Sequence, residues 1–179
     1  MPRSAFKISA CRPARGFTLI ELAVTVAVAG ILAAIAVPSM SAFINASRLS
    51  GVTEELTAGL QLARTEAVRR NRPVTLCGGA AGSDDCVAGT SWTQIIVRHD
   101  ETVPGGADPK VIRRFEVPGQ VQIASSEAEI RFRPSGTVSA EETLTACIPT
   151  SSLQDNIRIV RLMVGGGVAV TKSSGGGSC

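Results

Sequence analysis

Aromatic side chains are scarce in this chain: there is no tyrosine, one tryptophan and five phenylalanines, about 3% of 179 residues. Base recognition by an aromatic stacking platform is poorly supplied by that content. A single histidine, His99, excludes a metal centre built on several imidazoles. Charge is sparse too, at 18%, and its placement matters more than its sum of +3. Arg3, Lys7, Arg12 and Arg15 stand in the first 16 residues, where there is no acid, and the other 14 basic residues face 15 acidic ones. Most of the chain is therefore close to neutral, unlike a globally basic nucleic-acid binder. Catalytic groups are equally thin. His99 precedes Asp100 at a strand end, where neighbours point to opposite faces, so the two are no preformed dyad and His99 reads as a solvated turn histidine. The pair Asp84-Asp85 lacks the further oxygen ligands of a calcium loop. No catalytic residue, metal or cofactor is expected.

Apolar residues are abundant, at 44%, which supplies one packed core and excludes disorder throughout. They concentrate from Phe17 to Val37, FTLIELAVTVAVAGILAAIAV, 21 residues with one charge, Glu21. As a helix this run reaches about 30 Å and can cross a bilayer once. The four cations before it put the N-terminus in the cytoplasm and the rest of the chain outside. A secretory signal peptide cut at Ala34-Ile35-Ala36 is the competing reading. Against it stand the length of the run, the carboxylate inside it, and a helical pattern that continues beyond Pro38. At a bilayer centre a carboxylate costs on the order of 2.5–3.5 kcal/mol, less near the interface. Glu21 is thus either a shallow snorkelling acid or one that meets a cation. Cleavage after Gly16 would supply that cation as the new α-amino group of Phe17, four residues away.

After Pro38, Leu49, Val52, Leu56, Leu60, Ala63 and Ala67 recur at helical spacing and mark an amphipathic helix that ends near Asn71, because Arg72-Pro73 disfavours continuation. From Phe17 to Asn71 it would be about 80 Å long if straight. Its first half is apolar all round and its second half has one stripe. Beyond Pro73 the period changes, and strands are predicted near 74–77, 92–98, 110–117, 121–124, 129–133, 143–148, 157–164 and 168–172. Ile130 and Phe132 should face inward and Arg131 and Arg133 outward. Pro104-Gly105-Gly106 and Gly165-Gly166-Gly167 are hairpin candidates.

Arg15-Gly16-Phe17-Thr18-Leu19-Ile20-Glu21-Leu22 resembles the cleavage signal of type IV prepilins and type II secretion pseudopilins: a short basic leader, Gly before the cut, Phe after it, and Glu as fifth mature residue. Gly30 and Pro38 also fit that pattern. The later order of helix, Val-Thr-Leu-Cys, a Gly/Asp loop with a second Cys, Trp92, Phe132-Arg133-Pro134-Ser135-Gly136 and Thr145-Ala146-Cys147 is similar to the GspH/FimT group of minor pilins and pseudopilins. The resemblance implies an α+β, pilin-like fold in which a long helix, membrane-spanning in its first half, packs on a β-rich globular head. It divides the chain into a leader, residues 1–16, a helix, residues 17–72 with 17–37 transmembrane, and a head, residues 73–179. It further implies cutting between Gly16 and Phe17 and N-methylation of Phe17 by a prepilin peptidase, with Glu21 and Pro38 serving assembly. The partners would be other pilin or pseudopilin subunits and the inner membrane. The mature protein would be a filament subunit at or near the tip of a type IV pilus or a type II secretion pseudopilus, helping to initiate assembly.

Cys11 should leave with the leader, and four cysteines remain. In an oxidising compartment they suggest two disulfides, with three connectivities. Spacing favours Cys77–Cys86 and Cys147–Cys179, the second tethering a Gly/Ser tail that has no other reason to be ordered. Zinc is the alternative for four thiolates, but no C-x-x-C pair occurs. DNA uptake is the alternative function, since some similar proteins carry Gly-Arg-x-Arg on a late hairpin. Here that stretch is Gly167-Val168-Ala169-Val170, without arginine. Phosphate contacts would fall to Arg131, Arg133, Arg158 and Arg161, which as exposed strand arginines more commonly solvate a sheet.

Overall fold

The computed structural model describes residues 16–87, 91–99 and 110–179. It forms two compact units, Met1–Ser39 and Met40–Cys179. One helix, α1 (Leu19–Arg70), contributes to both.

In the first unit the helix begins with a side-chain cap. Thr18 accepts the Glu21 backbone N–H on Oγ1 at 3.3 Å, and its carbonyl accepts the Leu22 N–H at 3.1 Å. Thr18 is therefore the N-cap and Glu21 the third helical residue; the Thr-x-x-Glu spacing is that of a capping box, and a carboxylate there suits the positive helix end. From Phe17 to Val37 the side chains are exposed on every face. Such a surface is stable in lipid or against other apolar helices, not in water.

In the second unit the helix has one buried stripe, Leu49, Val52, Leu56, Leu60, Ala63 and Ala67, all essentially without solvent exposure. Its end is a Schellman motif. Asn71 takes the left-handed conformation with φ 52°, its N–H bonds the Val68 carbonyl, and Arg72 N–H reaches back to Ala67, both at 3.2 Å.

Among the described residues nine strands follow: β1 (Val74–Gly79), β2 (Ser91–Trp92), β3 (Gln94–His99), β4 (Lys110–Glu116), β5 (Gln122–Ser125), β6 (Glu129–Phe132), β7 (Glu142–Cys147), β8 (Ile157–Leu162) and β9 (Val168–Ser173). They make two antiparallel sheets, ordered β4-β3-β1-β6 and β2-β5-β7-β8-β9. One contiguous core joins the helix stripe to Val74, Leu76, Ile95, Ile130 and Phe132 of the first sheet and Ile123, Leu144, Val160 and Leu162 of the second.

The run predicted as one strand over 92–98 is two. It breaks at Thr93, whose hydroxyl bonds the Gly79 carbonyl at 2.7 Å and whose own carbonyl accepts Val117 N–H, so β2 joins one sheet and β3 the other. A strand that changes sheets at a corner keeps its apolar alternation, which is why periodicity alone reads through the break. The Gly165-Gly166-Gly167 turn does connect β8 to β9, with Gly166 at φ 78°. The Pro104-Gly105-Gly106 hairpin, Cys11 and the leader up to Arg15 lie outside the described residues.

Candidate functional site

Of the residues that resemble a cleavage signal, the described ones are Gly16 to Leu22. Gly16 has nothing within 4 Å of where a Cβ would be, and Phe17 is 80% exposed. Both are accessible to an enzyme, and the helix begins immediately after them. Glu21 lies in its first turn, one turn from the amine that cleavage would create. The helix is long and apolar enough to cross a membrane.

The head is braced by two disulfides, Cys77–Cys86 and Cys147–Cys179, each with Cα atoms 5.7 Å apart. Each is reinforced by a buried amide that sequence reasoning missed. Gln94, in β3, donates from Nε2 to the Ser83 carbonyl and accepts Gly82 N–H on Oε1, both at 3.0 Å, so it pins the loop closed by Cys77–Cys86. Asn156, fully buried, accepts Gly175 N–H on Oδ1 at 2.7 Å and donates from Nδ2 to Ser178 (2.9 Å) and Ile148 (3.1 Å) carbonyls. The tail therefore has a second reason to be ordered besides its disulfide, which corrects the expectation from composition. No local sequence signal marks either amide; a polar residue inside an apolar strand pattern, as at Gln94, is the nearest hint.

His99 is not a solvated turn residue. It closes β3, a strand flanked by β1 and β4, stands opposite Val74 and Lys110, and is 4% exposed. Its sequence neighbour Asp100 lies outside the described residues. Asp84 ion-pairs with Arg114, and no group of three metal-ligating side chains occurs among the described residues.

The four arginines considered for phosphate contact do not converge. Arg131 and Arg133 belong to the edge strand β6 of one sheet and the turn after it, both exposed. Arg158 and Arg161 belong to β8 of the other sheet and, three residues apart, point to opposite faces. Arg161 is exposed beside Glu141 at 3.2 Å. Arg158 is 7% exposed and donates from Nη1 to the Asp155 (2.7 Å) and Ile157 (3.1 Å) carbonyls, so it is not a solvated sheet arginine.

Comparison with known proteins places this geometry. Residues 52–166 match the family model of the type II transport protein GspH, and residues 11–37 match that of the prokaryotic N-terminal methylation motif. The first covers more than half of the chain, and the chain belongs to the GspH family. It is a pilin-like structural subunit and not an enzyme. The type IV minor pilin FimU of Pseudomonas aeruginosa shares the fold, with TM-score 0.53 and 19% identity over 72% of this chain and 92% of that one. So does the minor pseudopilin EpsH from the type 2 secretion system of Vibrio cholerae, with TM-score 0.51 and 12% identity over 70% and 97%. The type IV major alpha-pilin of Moraxella bovis is 51% identical over 45 residues, 25% of this chain and 28% of that pilin. The chain thus spans under a third of the curated relatives it matches.

Proposed function

We propose that this protein is a minor pilin or pseudopilin, cut between Gly16 and Phe17, N-methylated on Phe17 by a prepilin peptidase, and held in the inner membrane with its head in the periplasm. From there it enters a type IV pilus or a type II secretion pseudopilus, at or near the tip, where it helps to initiate assembly. The observation that carries the reading is an apolar run from Phe17 to Val37, helical from Leu19 and exposed on every face, with one carboxylate, Glu21, in the first helical turn. That surface has to be covered twice, by lipid before assembly and by the helices of neighbouring subunits afterwards. The tip position rests on the resemblance of the head to minor pilins.

The test is a deletion scored for pilus-dependent motility and for exoprotein secretion, with filaments sheared and probed for the protein. Loss of one of the two phenotypes assigns the system. Processing is checked by N-terminal sequencing, which should begin at Phe17, and Gly16→Val should accumulate full-length precursor. A start at Val37 would show that ordinary signal peptidase made the cut.

A further inference from the structure

A groove runs along the second unit between α1 and the free edge of β9. It holds about 660 Å³ and is lined by Ser50, Thr53, Thr57 and Gln61 on the helix and Arg158, Val170 and Lys172 on the sheet. The helix wall is small and, despite its threonines, apolar. Thr53 and Thr57 turn their hydroxyls back to the Leu49 and Thr53 carbonyls at 2.6 and 2.9 Å, leaving their methyl groups for the groove. A second backbone can approach such a wall closely.

The opposite wall offers hydrogen bonds. β9 is the last strand of its sheet among the described residues. Met163 N–H bonds the Gly167 carbonyl at 2.8 Å, which fixes the phase of the β8–β9 ladder. The bonded pairs are then Arg161–Ala169, Ile159–Thr171 and Ile157–Ser173. Val168, Val170 and Lys172 therefore turn their N–H and C=O groups outward, away from β8. An unpaired edge of this kind is a template for another strand.

Charge selects the occupant. Arg158 and Lys172 are cross-strand partners in a non-hydrogen-bonded pair, where side chains lie closest, on the face that lines the groove. Like charges placed opposite each other destabilise a sheet. Among the described residues neither has a carboxylate within ion-pair distance, although Arg158 is 7% exposed. Glu54 also lines the groove and leaves it with a net positive charge.

We propose that the groove receives an extended, acidic segment of a neighbouring filament subunit, which adds as a strand to β9 and sets a carboxylate between Arg158 and Lys172. This rests on the reading of the protein as a filament subunit. DNA is disfavoured because only two cations are present, one of them buried, where a duplex needs a row of them.

The probe is the capped peptide acetyl-Val-Thr-Asp-Thr-Val-amide, whose Val, Asp and Val share one face, titrated into the processed full chain in detergent micelles. Amide shifts should be confined to residues 168–172 and the facing helix turns. The Asn version should bind about tenfold more weakly, because it loses a charged hydrogen bond. Val170→Pro should abolish binding, since it removes an outward N–H and no β8–β9 bond. Lys172→Glu should cost at least as much as the Asn peptide, and it provides a folded control because Lys172 has no hydrogen-bond or ion-pair partner among the described residues. Absence of binding, or binding unchanged by Val170→Pro in a folded protein, overturns the proposal. So does reproduction of the shifts by sodium acetate, which would mean a bare anion site, or displacement by phosphatidylglycerol vesicles or duplex DNA. A protein that enters filaments yet ignores the peptide ends the groove proposal and spares the subunit reading. One that binds the peptide and never enters filaments removes the neighbouring subunit as its source and ends that reading too.

Discussion

Glu21 has two roles that a single substitution confuses and a pair of substitutions separates. As the residue at the third helical position, whose N–H the Thr18 cap accepts, it belongs to the helix start. As a carboxylate in an apolar helix it is proposed to meet an ammonium. Gln serves the first role and not the second, whereas Ala serves neither. If the carboxylate meets the amine of Phe17 on an adjacent subunit, both Glu21→Gln and Glu21→Ala should insert in the membrane at least as well as wild type. Both should be depleted from sheared filaments, since a buried charge robbed of its partner costs about 3–5 kcal/mol. Wild-type incorporation of Glu21→Gln with loss of Glu21→Ala would assign the residue to the cap alone. A second residue-scale constraint is Gly78, where a Cβ would lie 2.1 Å from Cδ1 of Trp92. Gly78→Ala must displace the buried indole, and overpacking of this kind costs about 1–3 kcal/mol, readable as a lower thermal midpoint of the head.

At the scale of elements, the last turn of α1 carries an ion cluster with a measurable pH signature. Glu66 accepts bonds from Arg69 (2.7 Å) and Arg70 (2.6 Å), and these, Arg69 first, hold its carboxyl down from an ordinary 4.5 to about 2. A folded-state value below the unfolded one stabilises the fold at pH above 4.5, and that contribution is lost as pH falls towards 2. Surface helix pairs are worth about 0.3–0.5 kcal/mol each, so Glu66→Gln should lower stability by under 1 kcal/mol at pH 7 and by a smaller amount at pH 2, where the carboxyl is half protonated, measured by denaturation at both values. The tail is held more firmly. Asn156→Ala leaves the Gly175 N–H and the Ser178 carbonyl without their partner, while the Ile148 carbonyl keeps the Thr150 N–H, costing about 2–4 kcal/mol, comparable to the roughly 3.7 kcal/mol that loop closure assigns to Cys147–Cys179. Thermal melts of Asn156→Ala and Cys179→Ser should therefore fall by similar amounts, and a much smaller effect of Asn156→Ala would mean that the disulfide alone orders the tail. These elements also show where sequence is legible. The buried helix stripe and the alternation of Ile130 and Phe132 emerge from spacing because each is decided by neighbours one turn or two residues away. The corner at Thr93, the burial of His99 and Arg158, and the amides of Gln94 and Asn156 depend on strands far apart in sequence, which no local period encodes. The Thr18 cap is a local signal too, with Glu21 at the Thr-x-x-Glu spacing, but it lies inside an apolar run that dominates the segment.

For the whole molecule, charge is partitioned in a way that bears on what it can hold. The basic residues of the first 16 are matched by no acid, whereas the remainder is close to neutral. Within the head, Arg131 and Arg133 sit at the edge of one sheet, Arg161 is balanced by Glu141, and Arg158 lies buried in the other sheet. Affinity for duplex DNA scales with the number of phosphates neutralised together, and each contact steepens the salt dependence by about one. Two arginines on one edge therefore set a slope of about −2 or shallower. We expect the processed full chain in detergent to bind a duplex weakly, without sequence preference, and to release it as salt approaches the physiological range. Arg131→Ala with Arg133→Ala should flatten the slope to near zero. A slope near −6 that persists in the double variant would require cations elsewhere on the head, and would make a nucleic-acid receptor the better account of it.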